Sequence, residues 1–222
     1  MQTADLVRLY PQLWHMADDG SWPNIREHGL LSATRLVEKW EVPTVAKSAL
    51  LDGVRHEPQV LEHPRFGTAT VRDQSPIVEQ ALARLVVGMS PRDWLGLLNE
   101  RSFFFLQRKR LDGLLNARSY RGRPHTVITV DTAELVARHE PDIELCRINS
   151  GFVQRHSVTP RTRDLFLPIN EYPHPARSEA RAGAGYDVAE LCVVGGVDDV
   201  ADVVTHVERV QGDEILETIF RR

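Results

Sequence analysis

The sequence has 222 residues, 42% hydrophobic and 26% charged, with a formal net charge of −4 at pH 7. That length supports a substantial core, and the balance is that of a globular domain rather than a disordered or fibrous chain. No stretch approaches the ~20 apolar residues that span a bilayer, the opening "MQTADLVRLY" lacks the basic-then-apolar pattern of a secretory signal, and the negative net charge argues against a chain that coats nucleic acid with its whole surface.

The two cysteines, Cys146 and Cys192, have no CxxC spacing and suggest neither a disulfide framework nor a zinc site. No repeat, low-complexity tract or linker divides the chain, so residues 1–222 read as one cytoplasmic domain with free thiols. The charge is uneven. Arg101, Arg108, Lys109, Arg110, Arg118, Arg121 and Arg123 stand against Asp112 alone in 101–123, and acids dominate from Asp187 onward. A local phosphate-binding face and two mutually neutralising solvated faces are both open readings.

In chain order, "LVRLYPQLWHMA" predicts a short helix or turn and then a strand over 13–16. "DGSWPNIREHG" predicts a helix with Ser21 as N-cap, Pro23 in its first turn and Gly29 as C-cap. Helices follow over 32–40 and 45–54, separated by Val42-Pro43. "FGTATVRDQ" alternates small and β-branched residues as a strand does, with Pro76 ending it. "SPIVEQALARLV" and "SPRDWLGLLNER" each open on Ser-Pro, predicting serine-capped helices over 75–86 and 90–101. "SFFFL" predicts a buried strand, 110–120 a helix, and "HTVITVDTAELVARH" a strand and then a helix capped by Asp131 or Thr132. "IELCRIN" and "DLFLPI" read as strands around a polar, turn-rich 149–163. Residues 170–186 form a long loop of the kind that carries function or moves. "DVAELCVV" predicts a strand, "GGVDD" a turn and "VADVVTHVERV" a helix over 200–210. Strands and helices mix without a strict βαβ rhythm, which places the chain in the α+β class.

Several polar residues sit where chemistry is done. His15 ends an apolar run just before a capped helix, the place where strand-end groups face a crevice; a structural histidine is the alternative. Glu190 interrupts an apolar strand and shares a face with Val188 and Cys192, so a buried position demands a cation, a donor or a cleft, and an exposed edge strand is the alternative. Arg72, with Asp73 and Gln74 beside it, supplies forked donors suited to a diphosphate or else a surface turn. Asn99 and Arg101 precede Phe103, Phe104 and Phe105, of which the first and third face one side of a sheet and the second the other; one ring there can stack on a planar cationic base. Asn149 and Ser150 stand beside Gly151 at a strand end. No GxGxxG, Walker A, HExxH or GxSxG motif occurs.

Together these pieces resemble the DarT-type ADP-ribosyltransferases. "WHMADDGSWPNIREHGLLS" resembles that family's opening strand-end histidine and helix, "VRDQSPI" its arginine segment, and "VAELCVVGGVDDVADVV" its catalytic strand and final turn; "DWLGLLNERSFFF" and "RINSG" are closer to an uncharacterised bacterial branch. The resemblance implies an α+β fold with an ADP-ribosyltransferase-like split mixed β-sheet flanked by helices. It implies NAD as co-substrate and no metal. His15 would bond to the adenosine-side ribose, Met16, Ala17 and Ile25 would also bind NAD, and Gly29, Leu30, Leu31 and Ser32 would run along the nicotinamide pocket. Trp22 or one of Phe103, Phe104 and Phe105 would pack on the nicotinamide. Glu190 would meet the nicotinamide ribose and offset its developing positive charge, Arg72 would neutralise the diphosphate, and Asn99, Arg101, Asn149 and Ser150 would contact the acceptor. The acceptor implied is a macromolecule, nucleic acid ahead of protein, for a toxin or defence effector with an antitoxin or immunity partner and no membrane role. An RNA 2′-phosphotransferase, a non-catalytic nucleotide- or protein-binding module, and a hydrolase using His15 and Glu190 are the competing readings.

Overall fold

The computed structural model describes residues 1–173 and 188–222; most of the loop predicted at 170–186 lies outside the described residues. The chain opens with α1 (Thr3–Leu9) and β1 (Gln12–Asp18), a strand longer than predicted at both ends. Helix α2 (Trp22–His28) follows and closes on Gly29, whose φ of 92° favours glycine and whose N–H bonds the Ile25 carbonyl. Ser21 stands at the N-cap in helical geometry and makes no side-chain cap bond, contrary to expectation; Pro23 in the first turn fixes the start instead. After β2 (Leu30–Leu31), Ser32 caps α3 (Ala33–Lys39) by accepting the Arg35 N–H, and α4 (Thr44–Leu51) begins behind Pro43.

Two antiparallel strands, β3 (Gln59–His63) and β4 (Gly67–Val71), form a separate hairpin. Strand β4 stops at Val71, well before Pro76, and α5 (Glu79–Leu85) begins later than the predicted Ser75-Pro76 start. The reason is tertiary. Ile77 bridges Val153 as a strand would, and the Val78 N–H bonds the Val153 carbonyl, so 77–78 is held extended behind a turn at Ser75-Pro76. Helix α6 (Pro91–Asn99) has the capping box that its Ser-Pro opening promised, made by Ser90 and Asp93.

The remaining elements are β5 (Arg101–Phe105), α7 (Arg108–Leu115), β6 (His125–Asp131), α8 (Thr132–His139) capped by Asp131, β7 (Ile143–Cys146), β8 (Phe166–Pro168), β9 (Glu190–Val194), β10 (Gly196–Val197), α9 (Val200–Val203), β11 (Val204–Gln211) and β12 (Glu214–Arg221). The helix predicted over 200–210 survives only as its first turn. From Val204 the chain pairs with β6 and returns as β12, because the ladder with β6 buries Val204, Val207 and Val210.

Among the described residues the main sheet has eight strands in the order β12-β11-β6-β1-β5-β9-β7-β8. Every pairing in it is antiparallel, which corrects the expected mixed sheet. The molecule is α+β, a large antiparallel sheet flanked by helices. One face packs on α1, α8 and α9 through Leu6, Leu13, Ile128, Leu135 and Leu191, and the other on α5 and α6 through Leu82 and Trp94. The neighbours β1 and β6 are in register over their whole length, whereas β1 and β5 share one position, Trp14 opposite Phe105. The sheet opens there. No described helix is long and apolar enough to cross a membrane.

A short ribbon of β10 on β2 lies beside this opening. At Gly196, φ is 104° and an added Cβ would lie 2.3 Å from the Leu30 carbonyl oxygen, whereas at Gly195 it would meet only the flexible Arg35 side chain, at 3.3 Å. Gly196→Ala is therefore expected to cost about 3 kcal/mol, and Gly195→Ala about 1 kcal/mol. Thermal melts should show Gly196→Ala lower by roughly 6–12 °C; equal losses at the two glycines would contradict the close packing of β10 on β2.

Candidate active site

A cleft of about 430 Å³ occupies the opening, within the usual range of small-molecule sites. Its walls come from the end of β1, the turn after α2, strand β4 and the segment behind it, β5, the loop after β7, and the first residue of β9.

His15 stands where β1 leaves β5. Its Nδ1 lies 2.8 Å from the Phe103 carbonyl oxygen, so the ring takes up a group that the diverging ladder no longer pairs. A carbonyl only accepts, so Nδ1 carries the proton and the neutral ring keeps Nε2 as an acceptor. Burial lowers the pKa to about 4, with the positive charge of Arg72 adding to the effect against the Phe103 bond. Near neutral pH the ring is uncharged and suited to accept from a ligand hydroxyl.

Glu190 begins β9, flanked by Phe105 of β5 and Cys146 of β7. It is 5% exposed on an interior strand, which excludes the edge-strand alternative. The Ser150 N–H and hydroxyl both donate to Oε2, at 2.9 and 2.7 Å. Burial raises the Glu190 pKa to about 7, against the two Ser150 bonds and the charges of Arg110 and Arg161. Because both donors hold Oε2, a proton on this carboxyl belongs on Oε1, which has no partner among the described residues.

Arg72 leaves β4 with Nη1 donating to the Met16 carbonyl at 2.7 Å and its guanidinium 5.3 Å from the Tyr120 ring centre. Its Nε is buried without a hydrogen-bond partner. Burial lowers its pKa. Asp73 turns away from it: Oδ2 accepts from the Tyr120 hydroxyl at 2.7 Å, and Oδ1 lies 3.5 Å from Arg123. The simple Arg72–Asp73 surface turn is thereby excluded.

Of the residues expected here, Met16, Ala17, Ile25, Gly29, Leu30, Leu31, Phe103, Phe105, Asn149 and Ser150 also line the cleft. Trp22, Ser32 and Phe104 do not. Trp22 is buried against Phe220, Ser32 is spent on capping α3, and Phe104 faces the core, 5.8 Å from the His15 ring. Asn99 and Arg101 border the cleft, but their polar groups are spent on the protein. Arg101 donates to Glu144 and the Leu97 carbonyl, both at 2.7 Å, and covers the Phe166 ring. The Asn99 Oδ1 accepts from Arg55 and Gln74, and its Nδ2 donates to the Leu51 carbonyl.

Sequence reasoning missed Arg55 and Tyr120, both in the cleft wall. Arg55 lies in an aperiodic connection, and Tyr120 was absorbed into a helix that in fact ends at Leu115. Among the described residues no group of three or more His, Cys, Asp or Glu is placed to hold a metal ion.

A family profile described as "Family of unknown function (DUF7002)" matches residues 11–204, which contain every cleft residue named above. No curated protein matches the chain, and no solved structure does.

The raised pKa of Glu190 has a consequence for stability. Its value is about 7 in the fold against 4.5 for the free group, so its contribution is full below 4.5 and lost as pH rises through 7. His15 acts in the opposite sense: with a folded value of about 4 against 6.5, its contribution is present above 6.5 and lost as pH falls through 4. Glu190→Gln removes only the first of these. From pH 4.5 to 8 the variant should gain about 2–3 kcal/mol on the wild type in urea melts; a gap that does not grow with pH would count against a buried, protonated Glu190.

Proposed function

The chain belongs to this family of unknown function, and we propose that it is an NAD-dependent ADP-ribosyltransferase of ADP-ribosyltransferase-like fold, with Glu190 as its catalytic carboxylate. The observation that carries this reading is the setting of Glu190: a carboxyl buried in the cleft wall, gripped through Oε2 by Ser150 and left with Oε1 for a ligand. The opening of the sheet between β1 and β5 supports the fold, since it puts His15 on one side of the gap and Glu190 on the other.

The residues suit the parts of NAD by chemistry. His15 Nε2 can accept from a ribose hydroxyl. Arg72, with an unpartnered Nε, offers donors and charge to the diphosphate. In the reaction the glycosidic bond to nicotinamide breaks and its electron pair neutralises the ring nitrogen, while the acceptor's nucleophile bonds the ribose carbon and releases a proton to solvent. Positive charge grows on the ribose as the bond breaks, and a fixed carboxylate stabilises that charge. Glu190 must be ionised to do so. A cationic pyridinium nearby favours the ionised form, so substrate binding itself would shift the carboxyl from protonated to active.

A nucleic-acid acceptor fits the rim. Helix α7 contributes Leu114 to the cleft, exposes Lys109 and Arg110, and is followed by exposed Arg118 and Arg121; the charge of Arg110 acts on Glu190.

The test incubates the protein with labelled NAD and separate pools of DNA, RNA and protein, following nicotinamide release and label transfer together. Glu190→Gln should lower both by about 10²–10³. Release without transfer to any pool would make the protein a glycohydrolase. Absence of NAD binding and of release would leave the cleft to a non-catalytic binding role and end the transferase reading.

A further inference from the structure

In the cleft wall lies a buried polar cluster that the reaction does not use directly. Arg55 is 8% exposed, and its guanidinium reaches three carbonyl oxygens on three separate segments. Nη1 donates to Leu50 at the end of α4, at 2.6 Å. Nε donates to the Arg72 carbonyl at 2.9 Å, and Nη2 donates to Asn99 Oδ1, at the end of α6, at 2.9 Å. Gln74 closes the cluster. Its Nε2 shares the same Asn99 oxygen at 3.2 Å, its Oε1 accepts the Arg55 N–H at 3.1 Å, and its own N–H bonds the Arg55 carbonyl at 2.7 Å. Asn99 Nδ2 anchors the whole to the Leu51 carbonyl at 2.9 Å.

We propose that Arg55 is a positioning residue: together with Asn99 and Gln74 it clamps the main chain at 72–74 to the ends of α4 and α6, and so sets where the Arg72 side chain enters the cleft. This rests on the reading of Arg72 as the group that meets the diphosphate.

The clamp acts on a segment outside the helices and strands. Beyond Val71 the chain has left the β3–β4 hairpin and does not enter α5 until Glu79. Between them its bonds are to Arg55 and Asn99, Met16, Tyr120, Arg123, Val153 and Gln154, and among the described residues only Arg55 bonds the main chain of 72–74 from outside the segment. No described acid touches Arg55; the nearest charge acting on it is Asp73, and burial lowers its pKa to about 10. A buried cation met only by neutral oxygens is an expensive brace. What distinguishes it is the planar fork, which can satisfy three carbonyls at fixed angles; a lysine ammonium on a flexible stem cannot hold that geometry. Small displacements of a binding group have large effects on a site that depends on preorganisation.

The experiment uses the full chain with Arg55→Lys, Arg72→Ala and the double variant. Calorimetry measures ADP-ribose and nicotinamide as separate probes, and hydrogen exchange measures the amides of 72–77 without ligand. The clamp predicts that Arg55→Lys weakens ADP-ribose by about tenfold, leaves nicotinamide unchanged, and costs nothing further once Arg72 is already alanine. It also predicts faster exchange at 72–77 with no general loosening of β6. A double variant that loses affinity additively, or exchange at 72–77 identical to wild type, would overturn it. Failure of the wild type to bind either probe would sink the NAD reading alone, because the exchange comparison judges the clamp without any ligand.

Discussion

The molecule depends on what happens where β1 and β5 part. An antiparallel sheet is stable because each interior strand meets a partner on both sides, yet these two central strands share one pair and then separate. A gap in the middle of a sheet exposes backbone groups that must be satisfied by something else. Here the imidazole of His15 does it by donating to the Phe103 carbonyl. The bond closes the seam at its narrow end and leaves it open at the other. It also settles the ring's tautomer, so one interaction serves both the fold and the chemistry of the cleft. The histidine does not end its strand, as expected, but lies in the middle of β1, paired with Ile128 of β6, at the point where the pairing with β5 stops.

The second constraint is electrostatic. The cleft wall holds a buried carboxyl, Glu190, and a buried guanidinium, Arg72, without pairing them with each other. Glu190 is held by the neutral donors of Ser150, and Arg72 by the Met16 carbonyl and the face of Tyr120; the ionic groups acting on each are different. Joining opposite charges directly would lower the cost of burying them. Keeping them apart costs stability and leaves an acid and a cation separately available to a ligand that carries a cationic end and an anionic middle. Perturbed groups gathered in one cleft are the pattern expected of a functional site. The cost is limited by hydrogen bonds from rigid places: Ser150 is fixed between β7 and the bridge at Val153, and the main chain at Arg72 by Arg55 and Asn99.

Much of this was legible in the sequence, for reasons that differ by element. Alternation around Glu190 and the phenylalanines gave the faces of β9 and β5, because both strands are buried on two sides and their side chains have nowhere else to go. Capping signals located α6 and α8, since a serine or aspartate at those helix starts satisfies a free N–H. Strand β11 was misread for a specific reason. Its buried residues, Val204, Val207 and Val210, recur every third position, nearer the period of a helix than the alternation of a strand. Register shifts in its pairing with β6 and β12 account for that spacing, because an irregularity in the ladder changes which residues return to the buried face. Such irregularities are set by the partner strands and leave no local mark in the sequence.

The polar residues around the cleft point to a rule about such groups. Asn99, Arg101 and Glu190 are equally polar, equally buried, and all border the same space. Residue type and position could not separate them. Bond accounting does. The oxygen and nitrogen of Asn99 are both taken, and Arg101 is committed to an acid, a carbonyl and a ring. Glu190 keeps Oε1, the neutral His15 keeps Nε2, and Arg72 keeps Nε, each on a side chain otherwise fixed in place. A buried polar atom left unsatisfied costs free energy until a ligand or water meets it. Residues whose valences are filled by the protein hold the cleft in shape; on the proposed reading, Oε1, Nε2 and Nε are left among the described residues for a ligand to meet.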